Sequence, residues 1–152
     1  MAGKYFDDWE VGMVIVHELS RTITEGEHML FCAMTMNPQP LHIDAHFASG
    51  TQFGKPLVNG LFTMSLAVGI SVQDTTMGTI IANLGYEEVK HPNPVFHGDT
   101  LYVKTEVIAK RESKSRTDSG IVTLKHIGTN QHGTVVVEVT RSALFFKRPP
   151  TT

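Results

Sequence analysis

The sequence predicts an α+β domain in which an antiparallel sheet wraps around one long buried helix, and three observations predict it. Gly60 to Val72, GLFTMSLAVGISV, contains no charged residue, as a helix surrounded by protein should. From Gly78 onward, apolar and polar residues alternate with a period of two, the pattern of strands that turn one face inward. Ahead of Gly60 the chain carries helix start signals instead, so helix comes early and sheet late.

Taken in order, Met13 to Thr24 mixes β-branched and polar residues and is expected to form a first strand. Thr24 and Glu27 make a capping box, so a helix starts at Glu25, with Met29, Leu30, Ala33 and Met34 as its apolar face. It ends near Asn37, because Pro38 disfavours helical geometry in the residue before it. NPQPLH is then a rigid, extended connection. DAHFAS makes a short helix capped by Asp44, and GTQFGKP is a loop by its glycines and proline. Asn59 is placed to cap the central helix, within which Gly, Ala and Ser let neighbouring backbone come close. Four strand segments follow: GTIIANLGYEEVKH, TLYVKTEVIAKRES, GIVTLKHIG and TVVVEVTRSALFFKR, the last two joined by a TNQHG turn. In the second, Leu101, Val103, Thr105, Val107 and Ala109 share one face against Tyr102, Lys104 and Glu106.

Composition sets the outer limits. With 152 residues, 41% hydrophobic, 18% charged and a formal net charge of -2, the chain is expected to be one soluble domain over residues 1–148, with a short tail at 149–152. Lys and Arg are scattered, leaving no electrostatic footprint for nucleic acid or an anionic membrane. No run approaches the roughly 18 apolar residues of a membrane span, and MAGKYFDDWEVG lacks a secretory apolar stretch. The lone Cys32 has no internal disulfide partner and sits in an apolar run, which fits a reducing cytoplasm. There is no phosphate-cradling glycine loop and no nucleophile elbow. His42 and His46 have the spacing of a metal pair, but Pro40 precedes them and no third ligand is near in sequence, so no metal is expected.

Four pieces then match one family in order: NPQPLHID at 37–44, FASGTQFGKPLVNGLF at 47–62, PVFHGDTLYVKTEV at 94–107 and NQHGTVVVEVTRSALFFKR at 130–148. The chain resembles the MaoC-type hydratases and dehydratases, single-domain members of which have the hot-dog fold. The resemblance implies addition of water to an enoyl thioester, or its removal from a 3-hydroxyacyl thioester, with the acyl group on coenzyme A. It implies no cofactor other than that coenzyme A, and a homodimer or higher homo-oligomer formed by extending the sheet. The form MNPQPLH is also similar to members acting on branched C5 dicarboxylic thioesters of the mesaconyl or itaconyl kind. The family pairs an Asp with a His five residues on. Here the His matches His42, and the Asp position holds Asn37.

Hydration requires a water activated at the β-carbon, a proton for the α-carbon, and a partner for the thioester oxygen as it gains enolate charge. Imidazole is the side chain suited to proton exchange near neutral pH, which makes His42 the candidate acid/base, beside its plainer reading as a structural histidine at a helix start. Asn37 orients a water without accepting its proton, or else serves only the turn before Pro38. Asp44, Glu25, Glu27 and Glu88 are the carboxylates available as substitutes. Gly60 offers the oxyanion contact at the positive end of the central helix, or simply tight packing. Phe53, Leu57, Val58, Asn59 and Phe62 are expected substrate contacts; Met29, Phe31, Phe53, Leu57 and Phe62 line an acyl tunnel or, by their plainer reading, pack the core. Lys55, Lys90 and Arg116 are candidates for the coenzyme A phosphates. Two other readings stand beside the hydratase: a thioesterase on the same fold, and a thioester-binding subunit that lost catalysis with the Asp.

Overall fold

The computed structural model describes residues 3–149, so Pro150 to Thr152 of the expected tail lie outside the described residues. Among the described residues, six strands build the sheet. β1 (Val14–Val16) and β2 (Arg21–Thr22) both pair with β4 (Thr100–Glu112), and β5 (Ser119–Thr129), β6 (Val135–Phe146) and β3 (Ile80–Lys90) follow laterally, all antiparallel. The helices α1 (Glu25–Met34), α2 (Pro40–Ile43) and α3 (Ala45–Ser49) precede α4 (Gly60–Thr75), which lies across β4, β5 and β6.

Local chemistry explains the helix ends. The Glu27 carboxylate returns to the Thr24 amide at 3.1 Å, Asp44 accepts from the Phe47 amide at 2.9 Å, and Asn59 Oδ1 accepts from the Leu61 amide at 2.9 Å. Each satisfies a donor that helix geometry leaves unpaired. α1 closes with a paired capping motif in which Asn37 N donates to Cys32 O and Met36 N to Ala33 O. That motif puts Met36 at φ 54°, a conformation glycine adopts more readily.

The core has two parts. Under the head of α4, Val58, Phe62, Ala67 and Ile70 pack on Val95, Leu101, Val103, Val137 and Val139. At the far end, Phe6 and Trp9 close over Val107, Val122, Leu124 and Phe145, with the Trp9 and Phe145 rings edge to face at 5.5 Å. Gly120 is needed there, because a Cβ would stand 2.2 Å from the Phe6 ring.

Between helix and sheet runs a row of polar groups with a single sense. Arg141 Nε donates to His126 Nε2 at 2.9 Å, so His126 carries its hydrogen on Nδ1 and donates to the Thr105 hydroxyl at 2.8 Å. Thr105 donates in turn to His17 Nε2 at 2.7 Å, and His17 Nδ1 to Asp74 at 2.8 Å. Burial, then the Arg141 charge, then His17, lower the His126 pKa to about 3, so its ring is neutral.

Five expectations are corrected. The stretch 13–24 is two short strands, because the chain leaves the β4 ladder after His17 and rejoins it only at Arg21, while the His17 side chain turns into the polar row. On β4 the inward alternation holds from Leu101 to Val107 and fails at Ala109, which is exposed beyond a register shift between Val107 and Ala109. The central helix runs on to Thr75 and is not covered on all sides: Leu61, Ser65 and Gly69 form an exposed stripe, with Leu61 59% exposed. The helix α1 starts where expected, but its expected apolar face turns outward: Leu30, Ala33 and Met34 are exposed, and the buried side is that of His28 and Cys32, where His28 bonds the Asn59 amide and His97. NPQPLH is not extended throughout, since Pro40–Ile43 forms α2 with Pro40 at its first position, where a missing N–H costs nothing. The other strands, α3, the Asn59 cap and the hairpin turn lie where expected, the turn held by Asn130, whose Oδ1 accepts from His132 N and Thr134 N.

Candidate active site

α2 is tied to the segment that leads into α4. Leu57 N donates to Leu41 O at 3.1 Å, and His42 Nδ1 donates to Leu57 O at 2.7 Å. Because a carbonyl oxygen only accepts, Nδ1 must carry the hydrogen, and Nε2 of neutral His42 is left with a free lone pair. Leu57 bridges to Phe96, and Val58 N donates to Val95 O at 2.9 Å, so the same segment is anchored on its other side.

These ties place His42 on the wall of a cavity of about 420 Å³ with Phe53, Leu57, Val58, Gly60 and Thr63, closed on the other side by residues 91–95 and Val136. Gly60 opens α4 here. The Phe62 and Thr63 amides turn back to Asn59 O and the Leu61 amide to Asn59 Oδ1, whereas the Gly60 amide has no acceptor among the described residues. An unpaired donor at the positive end of a helix of 16 residues, in a largely apolar cavity, is suited to an oxygen that gains negative charge.

Behind the cavity lies a histidine pair. His28 is fully buried on α1, and its Nε2 accepts from the Asn59 amide at 2.8 Å. Nδ1 must then carry the hydrogen, which it donates to His97 Nε2 at 2.8 Å. Burial first, then the neighbouring His97 and His42, push the His28 pKa down to about 4. A neutral, fixed tautomer of His28 thus holds the residue just before Gly60. The His42 ring meets His28 edge-on at 5.8 Å between centroids.

Of the residues expected from sequence, His42, Gly60, Phe53, Leu57 and Val58 come together on one cavity. Asn59 is buried as the α4 cap. Phe62 stacks on His28 and Phe31 in the core, off the cavity wall. Asn37 lines a separate apolar depression with Met29, Cys32 and Ile43, and its Oδ1 accepts from Gln39 N at 3.1 Å. None of the four candidate carboxylates lines the cavity. Asp44 caps α3, Glu27 is bonded to Thr24 and Arg21, Glu88 pairs with Lys90 at 2.8 Å, and Glu25 is exposed in the first turn of α1. His42 and His46 sit on different helices. Lys55 lies over the Phe96 ring at 4.4 Å, beside Phe53, whereas Arg116 is paired with Asp118.

Sequence reasoning missed His28, His91 and His97. A usable signal existed for His28, which shares a helix face with Cys32 four residues on, both buried. For the other two, only the cluster HPNPVFH hinted at a role.

Comparison with known proteins gives concordant results. The MaoC like domain family model matches residues 8–130. Mesaconyl-CoA hydratase of Cereibacter sphaeroides is 34% identical over 147 residues, 97% of this chain but 42% of that protein, so the chain spans less than half of its relative's length. The X-ray structure of the monoamine oxidase regulatory protein from Archaeoglobus fulgius superposes with a TM-score of 0.86 at 35% identity, covering 98% of both chains. Rv0216 of Mycobacterium tuberculosis, described as a double hot-dog fold, superposes over 99% of this chain with a TM-score of 0.85 at 24% identity. The fold is therefore the hot-dog.

Proposed function

This chain belongs to the family of the MaoC like domain, and from that premise we propose that it adds water to the double bond of an enoyl-CoA thioester, or removes water from the 3-hydroxyacyl form. The observation that carries the reading is the juxtaposition of a His42 Nε2 free to accept a proton with the unpaired Gly60 amide on one apolar cavity. In this reading His42 takes the proton of the attacking water, and the Gly60 amide receives the thioester oxygen as the enolate forms. His28 fixes the Asn59 amide, and with it the start of α4, where the oxyanion contact must not drift. The Asn37 bond to Gln39 supports its role as the turn that presents α2, rather than as a holder of water.

The name of the Cereibacter relative supports a short branched acyl group, with or without a second carboxylate. The reaction draws only on side chains, backbone and the coenzyme A of the substrate. A second copy of the chain is the proposed partner: β3 ends the strand order, with Leu84, Tyr86 and Val89 exposed along it. Light scattering that gives a monomer would refute that part.

The test is loss of the conjugated enoyl-thioester absorbance with crotonyl-CoA and mesaconyl-CoA. His42→Ala is expected to lower turnover by roughly 10²-fold or more. Release of free coenzyme A from a saturated acyl-CoA would favour the thioesterase instead. Thioester binding without turnover would favour the non-catalytic subunit.

A further inference from the structure

The cavity contains two imidazoles and no carboxylate among its lining residues. The second belongs to His91, at the end of β3. Its ring lies against the head of α4, so that a Cβ on Gly60 would stand 2.9 Å from His91 Nε2 and 3.0 Å from Cε1. The ring has no hydrogen-bond partner among the described residues, unlike His28, His42 and His97. His42 thus reaches the cavity from α2 and His91 from just past the end of β3, and Gly60 lines the same wall, against the His91 ring.

We propose that His91 is a second catalytic residue, the group that exchanges the α-carbon proton, in place of the carboxylate that this site lacks. The assignment rests on the hydratase reading above. In dehydration, neutral His91 takes the α-proton, and the C–H pair becomes the new π bond by way of an enolate held at the Gly60 amide. The β C–O pair leaves with the hydroxyl, which takes the proton of a His42 imidazolium and departs as water. Solvent then returns the proton from His91 to His42. Hydration runs the same steps in reverse, so one H and one OH are added and no other reactant is consumed.

The surroundings fit a proton acceptor. Burial lowers the His91 pKa below the ordinary 6.5, which keeps the ring neutral at pH 7. The charged neighbours are occupied: Lys90 is paired with Glu88, and Glu138, across from Lys90 on β6, with Lys125. Asn93 is bonded to Val135 O. His42 is the facing titratable group from α2.

The experiment compares wild type, His91→Asn and His91→Phe on crotonyl-CoA, mesaconyl-CoA and their hydrated products, with kcat and KM followed from pH 5 to 9 and thermal melting as the check on folding. Both variants are expected to lose roughly 10²- to 10⁴-fold in kcat on both substrates, with similar KM. In wild type, dehydration falls as pH drops through the His91 pKa, since the protonated ring accepts nothing, and the residual activity of the variants lacks that limb. Incorporation of solvent deuterium at the α-carbon falls in parallel. An active wild type whose folded variants keep kcat within about threefold overturns the assignment and leaves the hydratase reading standing. A loss confined to the KM for mesaconyl-CoA also overturns it, by making His91 a carboxylate contact. A wild type without turnover on any enoyl-CoA overturns both.

Discussion

Acid should unfold this protein through two buried imidazoles, and replacing one of them measures its share. His28 and His126 are both fully buried and neutral, with pKa values near 4 and 3, whereas each would titrate near 6.5 in the unfolded chain. Below about pH 6.5 the unfolded chain binds two protons that the native protein refuses, so native stability falls as pH falls and is recovered as pH rises. At about 1.4 kcal/mol per pH unit for each group, the drop from pH 7 to pH 5 removes about 2 kcal/mol per histidine and about 4 kcal/mol for the pair. His126→Gln is the informative variant. Its amide oxygen accepts from Arg141 and its NH2 donates to Thr105, so the polar row keeps its sense, but the side chain does not titrate. Urea unfolding at fixed protein concentration should show the variant losing about 2 kcal/mol less than wild type between pH 7 and pH 5, whatever its stability at pH 7. An equal loss in both proteins would refute the assignment of that proton to His126.

Three further outcomes are expected. Gly60→Ala places a methyl group against the His91 ring and should lower kcat/KM for enoyl-CoA hydration roughly tenfold or more, with little change in melting temperature. Asn37→Asp keeps the acceptor for Gln39 N and, lying off the cavity, should preserve hydration of crotonyl-CoA; abolished activity in a folded variant would show that the amide itself is required. Asn59→Ala removes the cap on Leu61 N and should cost about 1 kcal/mol, read as a fall of roughly 2–4 °C in melting temperature.

Elements specified by neighbouring residues were legible in the sequence. Thr24 with Glu27, Asp44 and Asn59 announce helix starts because a cap acts within three residues. The strand segments announce themselves because burial on one face repeats every second residue. His42, Gly60, Phe53, Leu57 and Val58, which line one cavity, were legible as candidates because they flank one loop whose pattern matches a family. The cavity's far wall was not. His91 lines it from the β3–β4 connection, which also carries His97, and His97 meets His28 of α1 only after the sheet and helix have packed, so no local period records that meeting. Nor does the sequence reveal that Asn37 spends its carbonyl oxygen on Gln39, or that a register shift turns Ala109 outward, since both depend on backbone geometry.

The unidirectional row from Arg141 to Asp74 has an electrical consequence. Asp74 is in the last turn of α4, where the helix already presents negative carbonyl ends and a carboxylate is unfavourable. Every link in the row points its hydrogen toward that carboxylate, so the guanidinium on β6 delivers positive polarisation through the buried links to the half-exposed end of α4 where it is wanted. Thr105→Val, though close in shape, would sever this conduction at its midpoint and strand a ring nitrogen on either side.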